Sequence, residues 1–270
     1  MKYILIIFLS LLASISIAQP KVKIYYEQTS DGYKLYADNT EYCPVSIKIK
    51  FELTNYRAVG GDNRVLVLPA RSSRKNVSSL QVVDKSKASN FRYTYTTNYG
   101  DHNLKKYTED FNYFLPYKKG TSHKVWQGYN GNFSHQGENS LDFIMTEGTD
   151  IHAVRDGVVV KVVQENNISC VSRDCAKFNN YILIYHSDGT FAEYAHIKHM
   201  GALVKEGEKV AAGQSIGYSG NVGYSSGPHL HLAIFMQKLD ERVTLTTRFL
   251  TGDGSHAEAL QEQTEYIRSY

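Results

Sequence analysis

Long apolar runs are scarce in this chain: beyond its first eighteen residues none reaches membrane-spanning length, so no later span is expected. An excess of charge is missing too. The formal net charge is +3 over 270 residues, and the basic residues gather only in short clusters such as Arg71-Ser-Ser-Arg-Lys75. That balance is too near neutral to make nucleic acid the expected partner. There is no internal repeat and no low-complexity segment, which argues against a solenoid or a disordered tract. From residue 111 onward nothing between the apolar segments has helical periodicity of useful length, which leaves strands. Cysteine is rare as well, with three in all, and none at the point where the leader would be cut, so no lipid attachment is expected.

What is present begins with MKYILIIFLSLLASISIAQP. Lys2 precedes an apolar run from Tyr3 to about Ile17, and small residues at Ser16 and Ala18 stand before Gln19. Residues 1–18 read as a secretory signal peptide, too short and wrongly flanked for a stable span; the alternative is an N-terminal membrane anchor. The expected location is therefore exported, periplasmic or extracellular, with no membrane span in the mature chain. Export favours oxidation, so Cys170 and Cys175, which bracket a four-residue stretch, are expected to pair as a short-loop disulfide. A metal pair is the alternative, but no second matching pair exists. Cys43 is left over, as a buried free thiol.

Residues 19–108 read as strands. VKIYYE (22–27), YKLYA (33–37), VSIKIKFEL (45–53) and FRYTYTT (91–97) alternate or are rich in β-branched and aromatic residues, and turn clusters separate them. This spacing suggests an N-terminal β-sandwich-like domain of the immunoglobulin kind, serving for binding, positioning or regulation. Residues 109–250 form a second unit of short apolar strands: LDFIM (141–145), GVVVKVV (157–163), YILIYH (181–186), FAEYAH (191–196) and HLHLAIF (229–235). Residues 251–270 are expected as a C-terminal tail with one short helical turn at 256–262. The fold class is all-β.

Of ten histidines, His102, His123, His186, His199 and His256 have no distinctive setting and read as surface or loop residues; His152 reads as structural. Four others sit in richer surroundings. His135 precedes Gly137, and Asp142 follows between Leu141 and Phe143-Ile144. A carboxylate in apolar company needs a partner, either a metal or an arginine. His229 and His231 lie two apart in a strand-like run after Gly-Pro, so both imidazoles project from one face; two solvent-facing histidines are the plainer reading. His196 ends the run Glu193-Tyr194-Ala195-His196. Together these offer imidazole nitrogen and carboxylate oxygen for a metal such as zinc, with imidazoles to spare for proton transfer. The inventory fits metal-assisted hydrolysis without a serine or cysteine nucleophile.

The order H…G…D, then Y-A-H-I, then G-x-x-x-G-P-H-L-H resembles the lysostaphin-like (LytM-type) zinc metallopeptidases. Glu147-Gly-Thr-Asp-Ile-His-Ala-Val-Arg-Asp-Gly157-Val-Val-Val160 and Val204-Lys-Glu-Gly-Glu-Lys-Val-Ala-Ala-Gly213-Gln-Ser-Ile-Gly217 match the linking strands of that family. The resemblance covers about Gly128 to Phe235. It implies an antiparallel β-sheet metallopeptidase domain with the site in a groove. It also implies Zn2+ held by His135, Asp142 and His231, catalytic assistance from His196 and His229, and cleavage of peptide bonds in peptidoglycan. The chain departs from the commonest family pattern by placing six residues, not three, between His135 and Asp142, and Glu138 in that stretch competes as an oxygen ligand. The segment VKEGEKVAAGQSIG also resembles biotinyl or lipoyl carriers, but no Met-Lys-Met is present. Two further functions stand beside the leading one: a non-catalytic wall-binding activator of another hydrolase, and a zinc peptidase acting on proteins. Regulation of the site by the N-terminal domain is a candidate intramolecular interaction.

Overall fold

The period-two pattern of Val45–Thr54 sets the first layer. In the computed structural model, which describes residues 19–270, Val45, Ile47, Ile49 and Phe51 are buried while Lys48, Lys50 and Glu52 face solvent. The signal peptide expected at 1–18 lies outside the described residues. Seven strands make up the N-terminal part: β1 (Val22–Thr29), β2 (Gly32–Asn39), β3 (Val45–Thr54), β4 (Tyr56–Ala58), β5 (Asn63–Leu68), β6 (Ser72–Val82) and β7 (Asn90–Tyr99). They form sheets of order β1-β2-β6-β4 and β5-β3-β7. Both sheets contribute to one apolar cluster that includes Leu35, Ile47, Ile49, Val77 and Leu80. The order differs from that of an immunoglobulin constant domain, where the third, sixth and seventh strands share a sheet.

The second part is built on an antiparallel sheet. Its strands run in the order Lys209–Val210, Gly157–Val163, Tyr181–Tyr185, Phe191–Ala195, His229–Gln237, Ser140–Ile144, Thr121–Gln127 and Glu265–Arg268, with Arg242–Thr244 added beside His229–Gln237. One face of this sheet carries the larger core, including Phe143, Val159, Ile182, Tyr194, Leu230 and Leu232. On the other face Val160, Tyr181, Leu183, Phe191, Ala195 and Phe235 close a cluster with Cys43 and Tyr99 of the N-terminal part. Cys43 is the buried free cysteine. A Lys48–Asp240 ion pair of 3.3 Å joins the two parts at the surface. His231 and Phe235 are four residues apart on one strand and so share this second face.

Two expectations need correction. The helical turn at 256–262 does not form. His256–Glu258 is a strand paired with Arg248–Thr251, and Glu265–Arg268 pairs with Thr121–Gln127 at the edge of the large sheet. Pairing and the burial of Ala257, Leu260 and Tyr266 override the helix-forming composition of this stretch. His186 is not a surface residue but is fully buried, with Nδ1 3.0 Å from the Thr190 hydroxyl. Burial, and then the nearby Arg155 guanidinium, push it down to about 3, so it is neutral. Arg155 stacks 3.9 Å from the Phe111 ring and pairs with Asp188 at 2.8 Å, which ties the start of the second part to the sheet.

Asp188 gives a pH prediction. Burial opposes its charge. The Thr190 hydroxyl, the Thr108 N–H and Arg155 outweigh burial and hold it at about 2, against an ordinary 3.8. A depressed folded-state value contributes stability above the unfolded pKa, which is lost as pH falls from about 4 through 2. The contribution is about 2 kcal/mol at about 1.36 kcal/mol per unit. Melting curves from pH 5 to 2 should fall more steeply for the parent than for Asp188→Asn.

Candidate metal centre

Asp142 and His231 are direct cross-strand partners on Ser140–Ile144 and His229–Gln237. Their side chains therefore share a face, and His231 Nδ1 lies 2.9 Å from Asp142 Oδ1. His135 arrives from a loop. The six residues before Asp142 start with a tight turn, closed by the Glu138 N–H donating to the His135 carbonyl at 2.8 Å, with Gly137 at φ 77°. That positive φ suits glycine. The turn lets His135 reach back so that Nε2 stands 3.3 Å from Asp142 Oδ2 and 3.3 Å from His231 Nδ1. All three residues are buried, and they form the metal-capable cluster among the described residues. Glu138, the competing oxygen, is half-buried and lies outside this cluster.

The spacing of the three fits a metal. Ligand atoms about 2.0–2.1 Å from a tetrahedral zinc stand roughly 3.3 Å from one another. His135 Nδ1 is 3.0 Å from the Gly128 carbonyl, which can only accept, so Nδ1 carries the proton and Nε2 offers its lone pair. His135 Nε2, with its lone pair outward, faces the Asp142 carboxylate acceptor to acceptor unless its ring is protonated, whichever nitrogen of His231 carries that ring's proton. A cation between them removes that conflict. Burial resists charge on His135, yet the hydrogen bond and charge of Asp142 raise its pKa above the ordinary histidine value. Burial likewise resists charge on Asp142, but its hydrogen bonds to His135 and His231 hold it well below the ordinary carboxylate range. The site is therefore anionic in its carboxylate and preorganised for a cation.

His196 and His229 stand beside the cluster, with ring centroids 4.4 Å apart. Each is oriented by a carbonyl. His196 Nδ1 lies 2.8 Å from the Val222 oxygen and His229 Nδ1 2.8 Å from the Gly227 oxygen. In the neutral rings this leaves both Nε2 atoms as acceptors. His229 Nε2 is 3.9 Å from Asp142 Oδ1. Burial, then His229 and His231, push His196 down to about 3, so it is an uncharged base. His196 also has an uncommon φ of 62°, held by its N–H donating to Asn179 Oδ1 at 3.1 Å. All five residues singled out in the sequence thus converge on one place.

They line an open groove. One wall carries Trp126 and Phe133, with rings 5.4 Å apart and both partly exposed. The other wall is the loop that holds the Cys170–Cys175 disulfide (Cα–Cα 5.9 Å), the 3-10 helix Arg173–Phe178 and Tyr224. Every lining residue falls between 126 and 231, so residues 19–108 contribute none. Sequence reasoning missed Gln127. It is 3 % exposed, sits opposite Asp142 across the sheet and donates from Nε2 to Asp142 Oδ2 at 2.9 Å. The signal was obscured because the strand reads Val-Trp-Gln and the polar residue, not the tryptophan, turns inward.

A buried His-Asp-His cluster with two further histidines in a groove is the site of a metallopeptidase in form. Residues 136–243 match the family model described as Peptidase family M23. The match begins one residue after His135 and contains Asp142, His196, His229 and His231. The chain is similar to the peptidoglycan DD-endopeptidase ShyA of Vibrio cholerae, with 37% identity over 99 residues, covering 37% of this chain and 20% of that protein. It is similar to the glycyl-glycine endopeptidase ALE-1 of Staphylococcus capitis, with 37% identity over 117 residues, 43% of this chain and 28% of that protein. Against the solved catalytic domain of lysostaphin from Staphylococcus simulans, the identity is 28% and the TM-score 0.32, covering 52% of this chain and 90% of that one. The chain thus spans under a third of the length of these two curated relatives.

Proposed function

We propose that this protein is an exported zinc-dependent endopeptidase that hydrolyses peptide bonds in peptidoglycan stem peptides or cross-bridges. The observation that carries this reading is the mutual 2.9–3.3 Å approach of His135 Nε2, Asp142 and His231 Nδ1 in a groove that also holds His196 and His229. Support for the substrate comes from the similarity to relatives named for peptidoglycan and glycyl-glycine cleavage. In this reading His135, Asp142 and His231 are the ligands. Zinc held there supplies Lewis acidity, which polarises a carbonyl and lowers the pKa of water toward neutrality. His196, neutral and with Nε2 open, accepts the proton that the attacking water gives up. That proton passes from His196 to the leaving amine, while His229, whose Nε2 is a second acceptor, orients the attacking water. The aromatic wall of Trp126 and Phe133 and the disulfide-braced wall opposite align the peptide between them. Residues 19–108 serve as a binding or positioning unit, since they contribute nothing to the groove lining.

The reading is tested by metal removal. Stripping the purified chain with a chelator should abolish clearing of purified sacculi, and about one equivalent of zinc per chain should restore it. Clearing that persists undiminished in the metal-free protein would count against zinc dependence.

A further inference from the structure

Gln127 is bonded through its whole amide. Its Oε1 accepts from the Phe133 N–H at 3.0 Å and the Ser134 N–H at 2.8 Å, and its Nε2 donates to the Ser134 hydroxyl at 2.8 Å and to Asp142 Oδ2 at 2.9 Å. An amide side chain has two donors and two acceptor sites, so none is left over. The two acceptor bonds grip the segment leading directly into His135. One donor bond grips Asp142. Gln127 is thus a single buried side chain bonded both to one candidate ligand and to the loop that delivers another.

We infer that Gln127 is a positioning residue that sets the distance between His135 and Asp142, and that Gly131 exists to leave it room. The inference rests on the metal-site reading above and deepens it. The need is geometric. Asp142 and His231 are fixed by strand pairing, but His135 lies on a loop with six residues between it and Asp142. A loop of that length has no intrinsic reason to return the imidazole to within 3.3 Å of the carboxylate. Backbone grip by Gln127 supplies one. Gly131 gives an independent observation: a Cβ there would meet Gln127 Cγ at 2.4 Å, its carboxamide carbon at 3.1 Å and Oε1 at 3.1 Å. A contact of 2.4 Å to the middle of a buried side chain forces Gln127 to move, although alanine removes no hydrogen-bonding group.

The experiment uses the full chain with zinc and cobalt(II) as probes. Zinc affinity is measured by competition with a chromophoric chelator for the parent, Gln127→Leu, Gly131→Ala and His231→Ala. Cobalt(II) absorption reports the tetrahedral geometry of the bound metal, and melting of the metal-free protein reports the fold. Loss of partners around a ligand typically weakens metal binding about 10–100-fold. That loss is expected in both Gln127→Leu and Gly131→Ala, with a weakened or shifted cobalt spectrum. A residue with a merely structural role would lower the melting temperature of the metal-free protein and leave affinity and spectrum alone. Parental zinc affinity and spectrum in Gly131→Ala overturn the inference, whatever Gln127→Leu does. Parental affinity in His231→Ala instead overturns the metal-site reading on which it rests, so the two failures are distinguishable.

Discussion

His231→Ala should bind less than about a tenth of an equivalent of zinc and lose at least about 10³-fold in hydrolysis of sacculi. The expectation follows from position. His231 is the cross-strand partner of Asp142, and its Nδ1 faces both Asp142 and His135. Removing it leaves two candidate ligands where a catalytic zinc site uses three. Transition-state charge stabilisation by a metal is worth several kcal/mol, and about 4 kcal/mol corresponds to roughly 10³ in rate. The fold should survive, because the neighbouring Leu230 and Leu232 that fill the core on the opposite face are untouched. Zinc analysis and turbidity loss on one preparation check both halves.

His196→Ala should separate proton transfer from metal binding. His196 is not among the three ligand atoms, and its Nδ1 is committed to the Val222 carbonyl. The variant should therefore retain about one zinc while its rate falls about 10²–10⁴-fold, the usual contribution of a positioned general base. A rise in KM with kcat unchanged would mean that His196 binds substrate rather than moving a proton. The left-handed backbone at His196 adds a practical point: alanine tolerates φ near 62° less well than glycine, so His196→Gly is the better-behaved companion variant. Equal zinc content in parent and both variants, with the rate lost, is the expected pattern.

How much of this was legible in the sequence depends on which residues are asked about. Asp142 declared itself because a carboxylate between Leu141 and Phe143 is costly without a partner. His229 and His231 declared themselves through strand periodicity, and the structure forms that strand over His229–Gln237. The strand Val45–Thr54 was legible from alternation alone. Ser72–Val82 was not, since SSRKNVSSLQV is mostly polar and is held as a strand by its pairing with Gly32–Asn39 and by Val77 and Leu80. The C-terminal residues were misread for a related reason: long-range pairing outweighed local propensity. Gln127 was hidden because Trp126 beside it is the apolar residue, yet Trp126 is exposed and Gln127 buried. The role of a polar residue whose partners lie on another strand and a loop emerges only when the chain is folded.

The most direct measurement is mass spectrometry of the fragments released from purified sacculi by the full zinc-loaded chain, with His231→Ala as the control. The proposed function predicts fragments with new amine and carboxyl ends within the peptide portion, absent from the control. Fragments cut only within the glycan, or the same peptide products from His231→Ala, would contradict the assignment of this groove as a metallopeptidase site.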